Sequence, residues 1–165
     1  MQKITPCLWF DGQAEDAVNF YTSIFKNSKI KKIAYRGENT AKATGQPVGS
    51  VLTIFFTLDG QELMALNGGP EFKFTEAISL MVNCKDQKEL DEMWSKLSAG
   101  GQEVQCSWLK DKYGLSWQIV PAELGELLDG KNPEKSDRVM GAVMKMKKLD
   151  IKELELAYQG KITED

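Results

Sequence analysis

The 165-residue sequence contains no histidine. Imidazole is the side chain that most often ligates transition metals in proteins, and it is the most common general base near neutral pH. Its absence excludes a Ser-His-Asp triad, a Cys-His dyad and a histidine-based zinc site. Any chemistry in this protein must therefore use carboxylates, thiols, lysine, tyrosine or backbone groups.

Cysteine, basic charge and long apolar runs are also scarce. The three cysteines, at positions 7, 84 and 106, show no CxxC spacing, and an odd count fits free thiols better than a disulfide framework. The formal net charge of −3 gives no basic surplus for nucleic acid. No apolar run approaches the roughly 20 residues that span a bilayer. Because no signal peptide is recognisable, we expect a cytoplasmic protein with no nucleic-acid or membrane partner.

The first half of the sequence shows hydrophobic periodicity that changes between strand and helix. It predicts strands over residues 4–10, 29–35, 51–58 and 61–67, and a helix over residues 13–25. Asp59-Gly60 predicts a hairpin turn between the last two strands. The polar stretch 37–49 predicts a long mobile loop.

The second half repeats this order of elements. A strand over residues 76–84 precedes a helix that Asp86 caps and that ends near residue 98, and further strands are predicted over residues 103–109 and 115–120. Leu90 and Trp94 of this helix match Ala17 and Tyr21 of the first, which indicates an internal repeat.

Two helices are predicted after the repeat. Asn132 followed by Pro133 is a favourable helix start, and Asp150 begins a capping box. The sequence therefore predicts an α+β protein with a first βαβββ module over residues 1–70, a second over residues 71–122 and a C-terminal helical extension over residues 123–165.

Residues 106–121, CSWLKDKYGLSWQIVP, resemble a signature of the PhnB-like family of the glyoxalase/bleomycin-resistance (vicinal oxygen chelate) superfamily. Further similar segments are residues 4–6, 10–12, 20–21, 67–70 and 138–156. The resemblance implies paired βαβββ modules that form a cupped mixed sheet, and a homodimer that often exchanges elements between subunits. This family is sometimes given the name demethylubiquinone 3-methyltransferase. The sequence lacks the Gly-rich loop after the first strand that a Rossmann-like methyltransferase uses.

Metal-dependent members of this superfamily hold an ion in the cup through His or Glu at four positions. The resemblance assigns these positions to Pro6, Met64, Ser79 and Gln118 in this sequence. Proline and methionine are not ligands for a hard or borderline divalent ion, and serine and neutral glutamine are weak ones. We therefore expect no metal and no other cofactor, and we expect these four side chains to face a ligand.

The last strands carry further candidates. Alternation along a single strand over residues 103–109 places Cys106 and Trp108 on one face, as an aromatic and thiol wall of a pocket. The alternative for Cys106 is a small core residue. Trp117 and Gln118 point to opposite faces, so Trp117 packs under the helix if Gln118 faces the cup. The Gln118 amide then needs a partner, which is either a ligand or a neighbouring protein group or water.

Charged residues near the predicted cup have two interpretations. The turn 110–112, Lys-Asp-Lys, is expected to be solvated, with binding of an anionic group as the alternative. Glu62, Glu71 and Glu76 are candidate general bases only if the fold points one of them inward, and exposure is the default for a carboxylate.

Apolar side chains outside the last strands are expected to serve packing. Phe72 and Phe74 either flank the mouth of the cup or pack the linker between the modules. Cys7 and Cys84 are expected in the core of the first strands. The methionines at positions 140, 144 and 146 are also expected to pack in the core of a helical region.

The leading hypothesis is a metal-independent binding protein, a dimer whose cupped sheet holds a small, partly apolar molecule. One alternative is an enzyme of the same fold that uses a carboxylate or Cys106 without a metal. The other is a structural dimer whose cup is filled by its own side chains. The candidate ligand-binding residues are Gln118, Trp108, Cys106, Met64, Ser79 and Pro6.

Overall fold

The structure, a computed structural model, describes residues 2–161, which divide into two units between Phe74 and Thr75. We call residues 2–74 module one and residues 75–161 module two. Each contains a four-stranded mixed sheet, and module two also contains the helices near the end of the chain. The predicted α+β class is confirmed. No helix within the described range is long and apolar enough to cross a membrane.

Module one follows the predicted order of strand, helix and three strands, with one additional helix. Its elements are β1 (Cys7–Phe10), α1 (Ala14–Ile24), β2 (Lys29–Tyr35), α2 (Glu38–Thr44), β3 (Val51–Leu58) and β4 (Gln61–Asn67). The strand order is β1-β4-β3-β2, with β1 parallel to β4 and the other neighbours antiparallel.

One face of the module one sheet is buried against α1. The helix contributes Ala17 and Tyr21 at a helical spacing, and both are fully buried, as are Ile54 and Phe56 on β3. Because strand side chains alternate, the residues between them lie on the opposite face, which we call the far face of the sheet. Far-face positions such as Met64 are only half-buried.

Helix α2 corrects the prediction of a long loop over residues 37–49. Ala41 is buried under this helix, and the Thr44 hydroxyl donates a hydrogen bond to the Thr40 carbonyl at 2.7 Å. Gly45 then adopts a left-handed conformation with φ of 68°, which is a common way for a helix to end. The Gly-Gln-Pro sequence at 45–47 therefore marks the end of a helix and not the centre of a loop.

Module two repeats the order and adds three helices. Its elements are β5 (Leu80–Cys84), α3 (Gln87–Ser98), β6 (Gln102–Glu103), β7 (Trp108–Lys110), β8 (Ser116–Pro121), α4 (Leu124–Leu127), α5 (Pro133–Lys145) and α6 (Ile151–Gln159). The strand order is β5-β8-β7-β6, with β5 parallel to β8. Leu90, Trp94 and Leu97 of α3 are buried, which matches the predicted inner face of this helix.

The predicted helix starts in module two are confirmed by their hydrogen bonds. The Asp86 carboxylate accepts from the Glu89 amide at 2.8 Å, which caps α3. The side chains of Asn132 and Asp150 accept from the amides three residues ahead, at 3.2 Å and 3.0 Å, which caps α5 and α6. Each cap satisfies an amide that the helix itself leaves unpaired.

The predicted strand over residues 103–109 is wrong, because the chain turns within it. Strand β6 ends at Glu103, β7 begins at Trp108, and the two pair as an antiparallel hairpin. Cys106 and Ser107 in the turn have φ of 59° and 63°. Strand alternation therefore cannot place Cys106 relative to Trp108.

This turn is held by the linker between α5 and α6. The amide of Cys106 donates to the Met146 carbonyl at 2.8 Å, and the amide of Ser107 donates to the Lys147 carbonyl at 2.7 Å. The buried Ser107 hydroxyl donates to the carbonyl of Ile119 on β8. A segment about forty residues away in sequence thus fixes two left-handed residues, a conformation that costs energy for side chains other than glycine.

The helical tail also corrects the expectation for the methionines. Val139 and Val143 form the buried face of α5, whereas Met140 and Met144, each one position later, are 41% and 66% exposed. The expected helix-core role is therefore wrong for these two residues. Met146, which follows α5, is half-buried.

Candidate ligand site

The last strand of module two places Trp117 and Gln118 on opposite faces, as alternation predicts. Trp117 is 2% exposed on the face that α3 covers, and its indole N–H donates to the Asp111 carboxylate at 2.8 Å. Gln118 is half-buried and lies on the far face, where its cross-strand neighbours are Trp108 and Met81.

Gln118 and Ser79 are bonded to each other. The Gln118 amide donates to the Ser79 hydroxyl at 2.8 Å. These are the two module two positions at which metal-dependent relatives are expected to hold an ion. The partner that the Gln118 amide requires is thus a protein group, which was one of the two alternatives. A neutral amide and a hydroxyl do not form a donor set that divalent ions prefer.

The two module one positions, Pro6 and Met64, are also neighbours. The carbonyl of Pro6 accepts from the Met64 amide at 2.9 Å. Met64 lies on the far face between Cys7 and Phe55 on the adjacent strands. A pyrrolidine ring and a thioether are likewise not ligands that divalent metal ions prefer.

No other metal-ligand cluster is evident in the part of the chain that the structure describes. Within residues 2–161, no three Cys, Asp or Glu side chains come together in a way that could hold an ion.

The first-strand cysteines differ in their environments. Cys7 is exposed, so its predicted place in the core is wrong; α1 covers the face of β1 that carries Leu8 and Phe10, and Cys7 lies on the other. Cys84 is buried as predicted. Burial, together with the nearby carboxylates of Glu89 and Asp86, raises the pKa of the Cys84 thiol to about 12, so this thiol stays protonated.

A groove of about 320 Å³ lies beside Cys106 and Trp108. Both side chains line it, although the turn and not strand alternation brings them together. Because Gln118 pairs with Trp108 across β7 and β8, the Gln118–Ser79 pair lies on the same face of the sheet. Two of the predicted ligand-binding residues, Cys106 and Trp108, thus line the groove, and the bonded pair of Gln118 and Ser79 lies beside Trp108 in module two.

An ion pair joins two residues that line this groove. The Lys110 ammonium contacts the Glu76 carboxylate, and this hydrogen bond holds the pKa of Glu76 below its usual value. A carboxylate with a lowered pKa is a weaker general base, so Glu76 does not suit that role. Glu62 is likewise paired, with Lys31 at 3.0 Å, and Glu71 is exposed.

Asp111 corrects the expectation of a solvated turn. It is 3% exposed, and its carboxylate accepts from the amides of Tyr113 and Leu115 at 2.8 Å and 3.1 Å, in addition to the Trp117 indole. The turn closes around this carboxylate because its inward amides need an acceptor. Lys112, the next residue, remains exposed.

Phe72 and Phe74 pack on β1 within module one. The ring centroids of Phe72 and Trp9 are 4.9 Å apart, and those of Phe74 and Phe10 are 5.2 Å apart, both in edge-to-face geometry. The contact of the half-buried Phe74 agrees with the linker-packing interpretation, whereas Phe72 is 65% exposed and its contact does not decide between the two interpretations.

Ser116 is a groove residue that sequence reasoning missed. It is 1% exposed, and its hydroxyl has no hydrogen-bond partner among the residues that the structure describes. A single serine at the start of a strand has no distinctive chemical pattern. The only available signal was its spacing of two from Gln118, which places both side chains on the far face.

Comparison with known families decides the classification. The family described as 3-demethylubiquinone-9 3-methyltransferase matches residues 2–120. The chain belongs to this PhnB-like family. The match ends before α4, so the resemblance predicted for residues 138–156 lies outside it, and helices α4 to α6 are additional to the matched region.

Solved structures agree with the PhnB-like classification. A PhnB protein from Bacillus cereus is 40% identical, with 72% of this chain and 99% of that chain covered and a TM-score of 0.63. A protein from Pseudomonas aeruginosa is 17% identical, with coverages of 73% and 97% and a TM-score of 0.57. No protein of curated function matches this chain.

The fold also occurs in a fosfomycin resistance protein. FosX from Listeria monocytogenes, in a complex with Mn(II) and sulfate, is 16% identical, with 78% of this chain and 98% of that chain covered and a TM-score of 0.50. At this identity the similarity shows the fold alone. The PhnB-like protein thus has the glyoxalase/bleomycin-resistance fold of the vicinal oxygen chelate superfamily.

Proposed function

We propose that this PhnB-like protein binds a small, partly apolar molecule in its cupped sheet without a metal ion. The observation that carries the proposal is the groove of about 320 Å³ that Cys106 and Trp108 line in module two. Small-molecule sites typically enclose roughly 300–1,000 Å³ and are mainly apolar with a few polar groups. An aromatic ring, a thiol and an unpaired hydroxyl match that description.

Two further predicted positions lie beside the proposed module two site. Gln118 and Ser79 form a polar pair next to Trp108 on the far face of the module two sheet. On module one, Met64 and Pro6 are proposed separately as residues that face a ligand. Met64 supports this role because it is half-buried on a far face and adjoins the aromatic ring of Phe55 across the strands.

Metal independence is proposed from donor chemistry. FosX binds Mn(II), but the four positions that the superfamily uses carry no imidazole or carboxylate in this chain. The Gln118 amide directs its N–H, and not a lone pair, at Ser79. Neutral donors of this kind have low affinity for first-row divalent ions.

An enzyme without a metal is the second candidate, and Cys106 supports it. This thiol is only half-buried and lines the groove, whereas the carboxylates of Glu62 and Glu76 are held in ion pairs. A cup filled by its own side chains is less consistent with the groove. A metal-free enzyme that uses Cys106 would lose turnover but keep its stability and ligand binding when Cys106 is replaced by serine.

The test is native mass spectrometry of untagged protein. We expect an organic mass that accompanies the wild-type chain and leaves on denaturation. In the Val104→Trp variant, the indole should fill the groove and abolish this mass, with little effect on stability, because Val104 is 37% exposed where it lines the groove. A stoichiometric metal adduct, or an organic mass that Val104→Trp retains, would contradict the proposal.

A cytoplasmic homodimer is proposed as the state of the protein. The family resemblance implies the dimer, and the free thiols of Cys7, Cys84 and Cys106 suit a reducing compartment. Light scattering at micromolar concentration should give twice the chain mass, and a monomer would contradict the dimer. Recovery from a membrane or exported cell fraction would contradict the location.

A further inference from the structure

Among the described residues that line the groove, one has a buried polar group without a hydrogen-bond partner. The Ser116 hydroxyl is almost completely buried and forms no hydrogen bond within residues 2–161. Ser116 lines the groove and shares the far face with Gln118 and Trp108. A buried hydroxyl without a partner is unfavourable, so a ligand that bonds to it gains binding free energy.

The charges beside this hydroxyl cancel each other. Among the described residues that line the groove, only Glu76 and Lys110 are charged, and they form an ion pair with each other. Lys110 pairs with Ser116 across β7 and β8, so its ammonium is the charge that adjoins the hydroxyl in the sheet. Since Glu76 already neutralises this ammonium, a ligand anion would have to break an existing pair.

The rest of the groove is mainly apolar, apart from the exposed Gln105 and the thiol of Cys106. Val104 contributes aliphatic surface, and Trp108 contributes an aromatic ring. An indole face suits planar ligands, since aromatic groups gain from stacked or edge-to-face contact in addition to the area that they bury.

We propose that the groove selects an uncharged, planar ligand with one hydrogen-bonding group, and that Ser116 determines this specificity. The proposal rests on the proposed function, because it concerns the ligand of the same site. It adds the chemical class of the ligand and the residue that recognises its polar atom.

Three probes of nearly equal size test the proposal by calorimetric titration of the full chain at pH 7. They are 2-naphthol, which is neutral with one hydroxyl, naphthalene, which has none, and 2-naphthoate, which is an anion. We expect 2-naphthol to bind wild-type protein about tenfold more tightly than naphthalene, the gain of one hydrogen bond to a buried partner. 2-Naphthoate should bind more weakly than 2-naphthol.

Ser116→Ala should remove this preference. We expect the variant to bind 2-naphthol and naphthalene with equal affinity, while the affinity for naphthalene stays unchanged. The melting temperature should not fall, because the hydroxyl has no partner to lose. Ser95→Ala, on the exposed side of α3, is the matched control and should keep the wild-type preference.

Glu76→Gln tests the role of charge. This substitution keeps the shape of an exposed side chain and leaves Lys110 unpaired. We expect the affinity for 2-naphthoate relative to 2-naphthol to rise about fivefold, since a free cation near a partly desolvated site attracts an anion. An unchanged ratio would contradict the proposed charge selection.

Four further results would overturn the proposal. These are equal wild-type affinities for 2-naphthol and naphthalene, a wild-type preference for 2-naphthoate, a clear loss of stability in Ser116→Ala, or no binding of any probe. The proposed function fails separately, if Val104→Trp still binds the probes as wild type does. If all three probes bind equally and Val104→Trp abolishes their binding, the groove is a ligand site without the specificity assigned to Ser116.

Discussion

Module one and module two have the same order of strand, helix and three strands, but different contacts complete their sheets. In module one, β3 and β4 contain eight and seven residues, pair at six positions and are joined by the turn at Asp59-Gly60. In module two, β6 and β7 contain only two and three residues. The turn between them is fixed by hydrogen bonds that its amides donate to backbone carbonyls of the linker after α5. The groove lies beside these shorter strands, and the linker after α5 supplies carbonyl acceptors for the turn between them.

The first helices of the modules also begin in different ways. The amide of Ala14 at the start of α1 donates to the Asn67 side chain on β4 at 2.9 Å, a contact that is distant in sequence. The cap of α3 is local, since Asp86 precedes the helix directly. A local cap can be predicted from sequence, whereas a cap from another strand requires the fold.

The largest expected effect concerns the turns before β4 and β8. Asp111→Asn should lower the free energy of unfolding by about 3 kcal/mol, because it places an amide N–H₂ group among three N–H donors in a buried site. The measurement is urea denaturation.

Asp59→Asn is the matched control in module one. Asp59 is exposed with φ of 44°, a conformation that asparagine also tolerates, so a change below about 0.5 kcal/mol is expected. Equal effects at the two positions would show that the buried Asp111 carboxylate does not distinguish module two.

A second, smaller difference is expected between the two helix caps. Asn67→Ala should cost about 2 kcal/mol, because Asn67 is buried and its side chain also donates to the Val51 carbonyl at 3.1 Å. Asp86→Ala should cost about 1 kcal/mol, as is usual for an exposed cap. Hydrogen exchange should show the loss of protection at α1 and α3 respectively. A larger cost at Asp86 would contradict the comparison.

At neutral pH the smallest effect is that of Cys84, whose influence on stability appears only at high pH. The folded pKa of Cys84 is raised from 9.0 to about 12, so the unfolded chain loses this proton first as pH rises. Cys84 therefore has no effect below pH 9 and lowers stability above it, by up to about 1.4 kcal/mol per pH unit. Denaturation between pH 9 and 11 should show a shallower decline in Cys84→Ala than in wild type. Parallel curves would contradict the shift.

Much of the fold could be predicted from local signals in the sequence. Hydrophobic periodicity predicted α1 and α3, and Asp59-Gly60 predicted the β3–β4 hairpin. The caps Asp86, Asn132 and Asp150 act within three residues, so their sequence patterns were sufficient.

The remaining features depend on distant contacts. The break at Cys106 and Ser107 requires carbonyls of the linker after α5, and Asp111 is buried because β8 brings Trp117 to it. In the candidate site, the sequence singled out Cys106 and Trp108. It could not indicate Ser116, because an unpaired hydroxyl is a property of the packed sheet.

The most direct test of the account is an ¹⁵N–¹H spectrum of the four tryptophan indoles during titration with 2-naphthol. Trp108 lines the groove, whereas the indoles of Trp94 and Trp117 are bonded to Glu103 and Asp111 at 2.8 Å. We expect the Trp108 signal to shift in wild type and to stay constant in Val104→Trp, with Trp94 and Trp117 unchanged throughout. A shift of Trp94 or Trp117 without Trp108, or no shift at all, would contradict a ligand site on the far face of module two.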